Sequence, residues 1–292
     1  MIGLGARCVI AENCHKATIP AELVGGCDPN PAMRQRATEV LGDYPWFETL
    51  DELLELGIDC AIVTSPDDTH EDITCALLEA GVAVYLEKPI AITIEGSDRV
   101  LETAYRTKTP LYVGHNMRHM AVVRILRQVV QDGLIGEVRA IWCRHFVGNG
   151  GDYYFKDWHA DRSRTTGLLL QKAAHDIDVM NWLSDSVPER VVGMGDLMLY
   201  GKLSDRSGQK SDAVMSDWFS FDNWPPASLT GLNPVIDVED VSMLMMRQTS
   251  GTLISYEQCH FTPDYWRNYT VIGTEGRAEN FGDGEGGVVR VW

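Results

Sequence analysis

The sequence predicts an α/β fold that continues into an α+β half. Two observations carry this reading. Up to Arg118, short apolar runs alternate with amphipathic stretches, the pattern of a parallel sheet covered by helices. Beyond it, longer segments alternate apolar and polar residues, as strands of a largely antiparallel sheet do. The two domains expected are therefore 1–118 and 119–292.

In the first part, Val24–Cys27 ends a strand, Ala32–Leu41 is a helix and Cys60–Thr64 is a buried strand. A helix over His70–Ala80 is closed by Gly81, and Val82–Leu86 is a strand. A turn at Glu95-Gly96 leads to a helix over Ser97–Thr107, then to a strand over Leu111–Gly114. In the second part, Met120–Gln131 is an amphipathic helix ending at Gly133, Glu137–Phe146 alternates as a strand, and Thr166–Leu183 is a longer helix with several polar residues. Arg190–Leu199, Val241–Arg247, Gly251–Phe261 and Tyr269–Ile272 read as strands, with a hairpin turn at Thr249-Ser250-Gly251. Lys202–Pro234, rich in Ser, Asp, Gly and Pro, reads as a surface excursion or an arm.

Composition excludes several function classes. The chain is 45% apolar and 23% charged, which is the range of globular proteins. Lys and Arg number 25 against 42 Asp and Glu, a formal net charge of -17 that repels a nucleic-acid backbone. It leaves room for a small anion in a local pocket of opposite sign. Seven scattered cysteines form no CxxC, and none stands at zinc-ligand spacing with a histidine, so a reduced, cytoplasmic protein without a metal is expected. No signal peptide or membrane-spanning run is encoded, so neither export nor a membrane partner is expected.

Ile2-Gly3-Leu4-Gly5-Ala6-Arg7-Cys8 forms a Gly-x-Gly turn in which Gly3 allows the bend and Gly5 lets a pyrophosphate approach backbone amides at the next helix start. Asp28 follows the second strand 20 residues beyond Cys8, where a carboxylate accepts hydrogen bonds from an adenosine ribose and repels a 2'-phosphate, favouring NAD over NADP. Asp28 equally starts a Pro-containing turn, a role that needs no ligand. Only Met1 and Ile2 precede the turn, against about five residues in a usual strand, so a strand is expected to be lost at the start, weakening the centre of the sheet. Pro66, after Val63-Thr64-Ser65, and His70 at the next helix start either lie along a nicotinamide half or serve as turn and cap.

Lys88, in Glu87-Lys88-Pro89, places an amine where a buried strand ends. It can hold a substrate hydroxyl and, if burial lowers its pKa, accept a proton; an exposed strand-end lysine is the other reading. On the 168–183 helix, Lys172, His175 and Asp178 recur every three residues along one side. His175 can shuttle a proton with Asp178 as orienter, or the set can serve helix capping or an internal ion pair. The stretch Gly148–His159, which combines flexible backbone with aromatic faces and hydrogen-bond donors, suits sugar or polyol recognition, with Trp158 and His159 as pocket wall, or equally an oligomer interface.

Taken together these residues resemble the Gfo/Idh/MocA oxidoreductases, the relatives of glucose-fructose oxidoreductase and inositol dehydrogenase. The matching marks are Gly3-x-Gly5, Asp28, Thr64-Ser-Pro66 with His70, Glu87-Lys-Pro89, Gly114-His-Asn-Met-Arg118, Lys172-Ala-Ala-His175 with Asp178, and Ile272-Gly-Thr-Glu-Gly-Arg277. The resemblance implies an N-terminal Rossmann domain, then an α+β domain on an open, mainly antiparallel sheet, with pairing through sheet faces into homodimers or homotetramers. It implies NAD as cofactor, contacted by Gly3, Gly5, Ala6, Asp28, Thr64, Pro66, His70, Glu87, Lys88 and Asn116. It also implies catalysis by Lys88 and His175, substrate contact through Arg118, Trp158, His159, Gln171 and Lys172, and a carbohydrate or polyol substrate.

Departures from the family pattern bear on chemistry. Many relatives carry an acid four residues before the histidine, whereas this chain has Gln171 with Lys172 beside it, a change expected to shift the proton relay or to select a carboxylated or keto substrate. Cys8 replaces the third glycine. The chain stops at Trp292 where relatives usually continue, so last strands or an arm are expected to be missing. The leading expectation is an NAD-dependent dehydrogenase or reductase of a sugar, inositol or related polyol. NAD-dependent glycoside cleavage through transient oxidation and non-catalytic NAD binding are the competitors.

Overall fold

The structure is a computed structural model that describes residues 1–16, 21–220 and 224–292. It contains two compact units. The first is Met1–Gly114 with Ser163–Thr166 and Gln209–Phe219; the second is His115–Arg162 with Gly167–Gly208 and Ser220–Trp292. The division falls after Gly114, and two segments distant in sequence pack with the first unit, an arrangement that one cut at residue 118 does not describe.

In the first unit the strands are β1 (Gly26–Cys27), β2 (Trp46–Phe47), β3 (Cys60–Val63), β4 (Ala83–Leu86) and β5 (Leu111–Val113). All pairings are parallel, β1 with β2 and β3 with β4 with β5. Ile2 joins the two sets through parallel bridges to Cys27 and Val63, which makes the order β2-β1-Ile2-β3-β4-β5, the Rossmann order. The sheet centre thus consists of one bridging residue, buried at 3% exposure. Helices α1 (Pro31–Leu41), α2 (Leu50–Leu54), α3 (His70–Glu79) and α4 (Ile94–Thr107) flank it. Their starts have local causes. Asn30 caps α1 by accepting from Ala32 N with Pro31 at the first position, Thr49 and Glu52 form a capping box on α2, and Thr93 accepts from Gly96 N at α4. The last cap places the start of α4 at Ile94 rather than Ser97.

The second unit is a seven-stranded sheet. Its strands are β6 (Val138–Phe146), β7 (Pro188–Asp196), β8 (Val241–Gln248), β9 (Leu253–Cys259), β10 (Trp266–Gly273), β11 (Arg277–Phe281) and β12 (Val288–Val291), in the order β12-β11-β10-β6-β9-β8-β7. All neighbours are antiparallel except β6 and β9. Helices α5 (Ala121–Gln131) and α6 (Leu168–Ser184) lie on one face. Val122, Val123, Leu126 and Val129 of α5 and Ala173, Val179, Met180 and Leu183 of α6 form one core with Ile141, Cys143, Tyr256, Tyr269 and Val271 of the sheet. The other face carries exposed Trp142, Val192, Met194, Met243, Met245 and Leu253. Gly273 is required by packing, since a Cβ there would stand 1.9 Å from the Ile135 carbonyl oxygen.

The stretch 202–234 is less superficial than its composition suggests. Val214 lies in the apolar cluster of the first unit with Met1, Leu4, Cys8, Ala11, Met33 and Ala37. Leu229 and Leu232 are buried in the second unit with Phe155 and Tyr200. Isolated apolar side chains thus anchor a polar segment at separate points. Residues 221–223 within it lie outside the described residues.

Candidate active site

The glycine turn is built as its sequence requires. Gly3 has φ +81°, and a Cβ there would stand 2.5 Å from Ser65 N, so only glycine brings the turn this close to the 64–65 backbone. A Cβ at Gly5 would meet nothing within 4 Å. Residues Ala6–Lys16 then form a 3₁₀ helix, with Cys8 buried against its neighbours in place of the third glycine. The Asp28 carboxylate accepts from Leu4 N at 2.9 Å and Asn30 N at 2.8 Å. It ties the glycine turn to the end of β1 and forms the local turn expected of Asx-Pro. Carboxylate oxygens accept more than one bond each, so these contacts leave capacity for a ribose. The open space over Gly5 and the acid beyond β1 fit a dinucleotide.

The loops after β3 and β4 are held together by His70. Its buried ring places Nδ1 2.7 Å from the Pro89 carbonyl and Nε2 3.0 Å from the Ser65 carbonyl. Both nitrogens therefore face backbone carbonyls, the protonated one donating, and the residue expected beside the cofactor lies against the Lys88-Pro89 turn, whose peptide bond is cis. Thr64 Oγ1 donates to the Gly3 carbonyl at 2.9 Å, and Pro66 precedes the helical turn at Asp67–Thr69. Glu87 is buried and bridged by Arg7 Nη2 at 2.7 Å. Arg7 was not singled out in the sequence; its only signal is its position inside the glycine turn. Lys88 itself is half-buried at the strand end.

In the second unit a pocket of about 460 Å³ is lined by Asn116, Met117, His119, Met120, Lys172, His175 and Arg267. Three of the expected residues, Asn116, Lys172 and His175, thus share one cavity. The two on α6 do so because a three-residue step keeps them on one helix face. Arg118 and Asp178 meet directly, Nε to Oδ2 at 2.7 Å and Nη2 to Oδ1 at 2.6 Å, and His115 Nδ1 lies 3.9 Å from the same carboxylate. Trp158 and His159 stack at 3.7 Å, and His159 Nδ1 is 2.5 Å from Asp157. The Tyr154 ring connects this wall to the pocket, with its centroid 5.3 Å from His159, 5.1 Å from His260 and 5.6 Å from Lys172 Nζ. Gln171 is buried on α6.

Behind the pocket lies a polar network absent from the sequence expectations. Asp176 is fully buried and accepts from His145 Nδ1 at 3.1 Å, from Tyr256 Oη at 3.0 Å and from Tyr269 Oη, and pairs with Arg267 Nε at 3.1 Å. Arg267 also reaches Asp283 at 3.2 Å and His145 Nε2 at 3.1 Å. His145 therefore donates from Nδ1 and accepts at Nε2, the pattern of a neutral ring. Burial and then Arg267 push its pKa down to about 3, against the opposing pull of Asp176. Burial alone would raise Asp176, but Arg267 and His145 hold it below the ordinary carboxylate range. Burial, reinforced by Arg267, brings Lys172 down to about 7 despite Asp176 and Asp283. A histidine and an arginine at inward positions of β6 and β10 were the available signal.

A Rossmann unit with a glycine turn, followed by an α+β unit whose pocket holds a histidine and a lysine, defines a dinucleotide-dependent class of enzyme. Residues 1–115 match the model of the oxidoreductase family with an NAD-binding Rossmann fold, and residues 123–279 match that of the GFO/IDH/MocA C-terminal domain. The chain belongs to the GFO/IDH/MocA oxidoreductase family. It is similar to YteT of Bacillus subtilis, 26% identical over 89% of this chain and 70% of that protein. It is also similar to inositol 2-dehydrogenase of Serratia proteamaculans, 31% identical over 60% of this chain and 50% of the relative. Among solved structures, the WlbA dehydrogenase from Bordetella pertussis in complex with NADH and UDP-GlcNAcA superposes with a TM-score of 0.77 at 21% identity, covering 95% of this chain and 75% of the other. At that identity the likeness is one of fold. The chain spans between half and seven tenths of the length of these two curated relatives.

Proposed function

We propose that this chain is an NAD-dependent oxidoreductase that interconverts a hydroxyl and a ketone on a sugar, inositol or related polyol. The observation that carries the reading is the pocket in which Lys172 and His175 stand together, in a chain whose first unit has the glycine turn and Asp28 of a dinucleotide site. Gly5, Asp28 and the loop after β3 would hold NAD. The Asp28 carboxylate disfavours the extra phosphate of NADP by repulsion. When bound, NAD supplies the redox step by taking a hydrogen with two electrons from the carbinol carbon. Lys88 and His175 are the two candidates to receive the hydroxyl proton. Trp158, His159 and Tyr154 form the wall against which the ring of a carbohydrate rests. The exposed apolar face around Trp142, Met243 and Met245 supports pairing with a second copy.

The test is turnover of a sugar and polyol panel with NAD and NADP, followed at 340 nm, in the parent chain and in Lys88→Ala and His175→Ala. Either substitution is expected to lower kcat by roughly 10²- to 10⁴-fold while folding and NAD affinity are kept. Turnover equal to the parent's would remove the residue from the mechanism.

A further inference from the structure

The pocket of the second unit has a charge character opposite to that of the chain. Four of its seven lining side chains, His119, Lys172, His175 and Arg267, are cations or become so on protonation, and none is a carboxylate. Acids nonetheless outnumber Lys and Arg by 42 to 25 over the sequence. A cavity lined by one sign of charge concentrates solutes of the other.

Lys172 and Arg267 are not equivalent. Arg267 is committed, since it is ion-paired with Asp176 at 3.1 Å and with Asp283 at 3.2 Å and its Nη2 lies 3.1 Å from His145 Nε2. Lys172 has the Tyr154 ring 5.6 Å from its Nζ; among the described residues it forms no ion pair, and Asp176 and Asp283 act on it only from beyond that distance. At the position four before His175, where an acid would have supplied a counter-charge close by, the chain has neutral Gln171. An arriving anion supplies such an amine with a close counter-charge and offsets the burial and repulsion that depress its pKa.

We propose that Lys172 seats an anionic group of the substrate, so that the chain acts on a sugar or polyol bearing a carboxylate or a phosphate. The inference rests on the oxidoreductase reading above and narrows its substrate class. A three-residue step on α6 leads from Lys172 to His175, a rise of about 4.5 Å. One hexose-sized molecule spans that interval, with its charged group at Lys172 and the reacting hydroxyl toward His175.

The experiment compares three probes on the full chain: neutral glucose and myo-inositol, the carboxylates glucuronate and gluconate, and glucose 6-phosphate. Rates with NAD are measured together with calorimetric binding in the presence of NADH, where no oxidation occurs. One anionic set is expected to exceed the neutral set roughly 10- to 100-fold in affinity and in kcat/KM, and which set does so separates carboxylate from phosphate. Lys172→Gln is expected to abolish the preference chiefly through KM, and Lys172→Arg to retain it. Equal binding of neutral and anionic probes, or a preference that survives in Lys172→Gln, overturns the inference. So does an equal loss of NADH affinity in Lys172→Gln, which would give the seat to the cofactor's phosphates. Anion binding that depends on Lys172 in a chain that oxidises no probe supports the seat and strikes at the redox reading instead.

Discussion

Arg267 and Asp176 form an ion pair at 3.1 Å in which both side chains are almost wholly buried. Removing one member of such a pair strands the other charge out of water. Arg267→Met is expected to cost about 3–5 kcal/mol, read as a lower denaturant midpoint with unchanged slope. The double variant Arg267→Met with Asp176→Leu is expected to recover part of that loss, since no charge is left unpaired. A double variant as unstable as the sum of the singles would show that the pair is not the unit of stability.

The same network makes stability depend on pH. The groups facing the His145 ring are Asp176 and Lys172 on α6, Arg267 on β10, the edge of Tyr265 and the buried His260, which burial, then His145 and Lys172, hold well below the ordinary histidine range. His145 titrates at about 3 in the folded chain, against about 6.5 when unfolded, so between these values the unfolded chain binds a proton that the folded chain refuses. Stability from this group is complete above about pH 6.5 and is lost as pH falls toward 3; Asp176, also depressed, adds its own loss below about pH 4. The unfolding free energy from urea titrations should fall steadily from pH 7.5 to 4.5, with His145 contributing about 2–3 kcal/mol at the acid end. His145→Gln should reduce that slope, with His260 supplying what remains.

His70 braces two loops that carry cofactor and catalytic candidates. His70→Leu leaves the carbonyls of Ser65 and Pro89 buried without the ring and is expected to cost about 2–4 kcal/mol. Because the Pro89 carbonyl adjoins Lys88, kcat should fall as well, whereas a residue that served only to bind NAD would raise the KM for NAD. Thermal melts and NAD titrations on one variant separate the two outcomes.

The exposed face of the seven-stranded sheet sets Val192 beside Met245 and Met194 beside Met243 in register. If this face pairs with a second copy, Met243→Glu together with Met245→Glu places charges in an apolar contact and shifts the chain to monomer in sedimentation velocity. An unchanged sedimentation coefficient, with a multimeric parent, would place the contact elsewhere.

What was legible in the sequence follows from the size and uniformity of each signal. Cys60–Val63 and Ala83–Leu86 are short apolar runs whose bounds are legible nearly to the residue, although burial alternates along both and Cys60 is exposed rather than buried. Trp46–Phe47 and Leu50–Leu54 were passed over because two and five residues are too few to show a period, although Thr49 and Glu52 form a capping box. β11 was missed because Asn280 occupies an inward position and breaks the alternation. At the site, Lys172 and His175 stood out as polar residues at helical spacing. His145, Asp176 and Arg267 did not, because each looks like an ordinary charged residue in its own segment, and only the meeting of β6, α6 and β10 reveals that they satisfy one another.

Val214 packs with Met1, Leu4 and Met33, although some 200 residues of chain separate it from the first strand of the sheet. The nucleotide-binding unit is therefore not a cassette. A fragment cut at residue 114 would leave an oily scar where Val214 had been and would lose the pairing of Arg36 with Asp217. Grafting experiments that exchange such units between relatives need to carry the 209–219 strap along with them, as a second, detached piece of the same part.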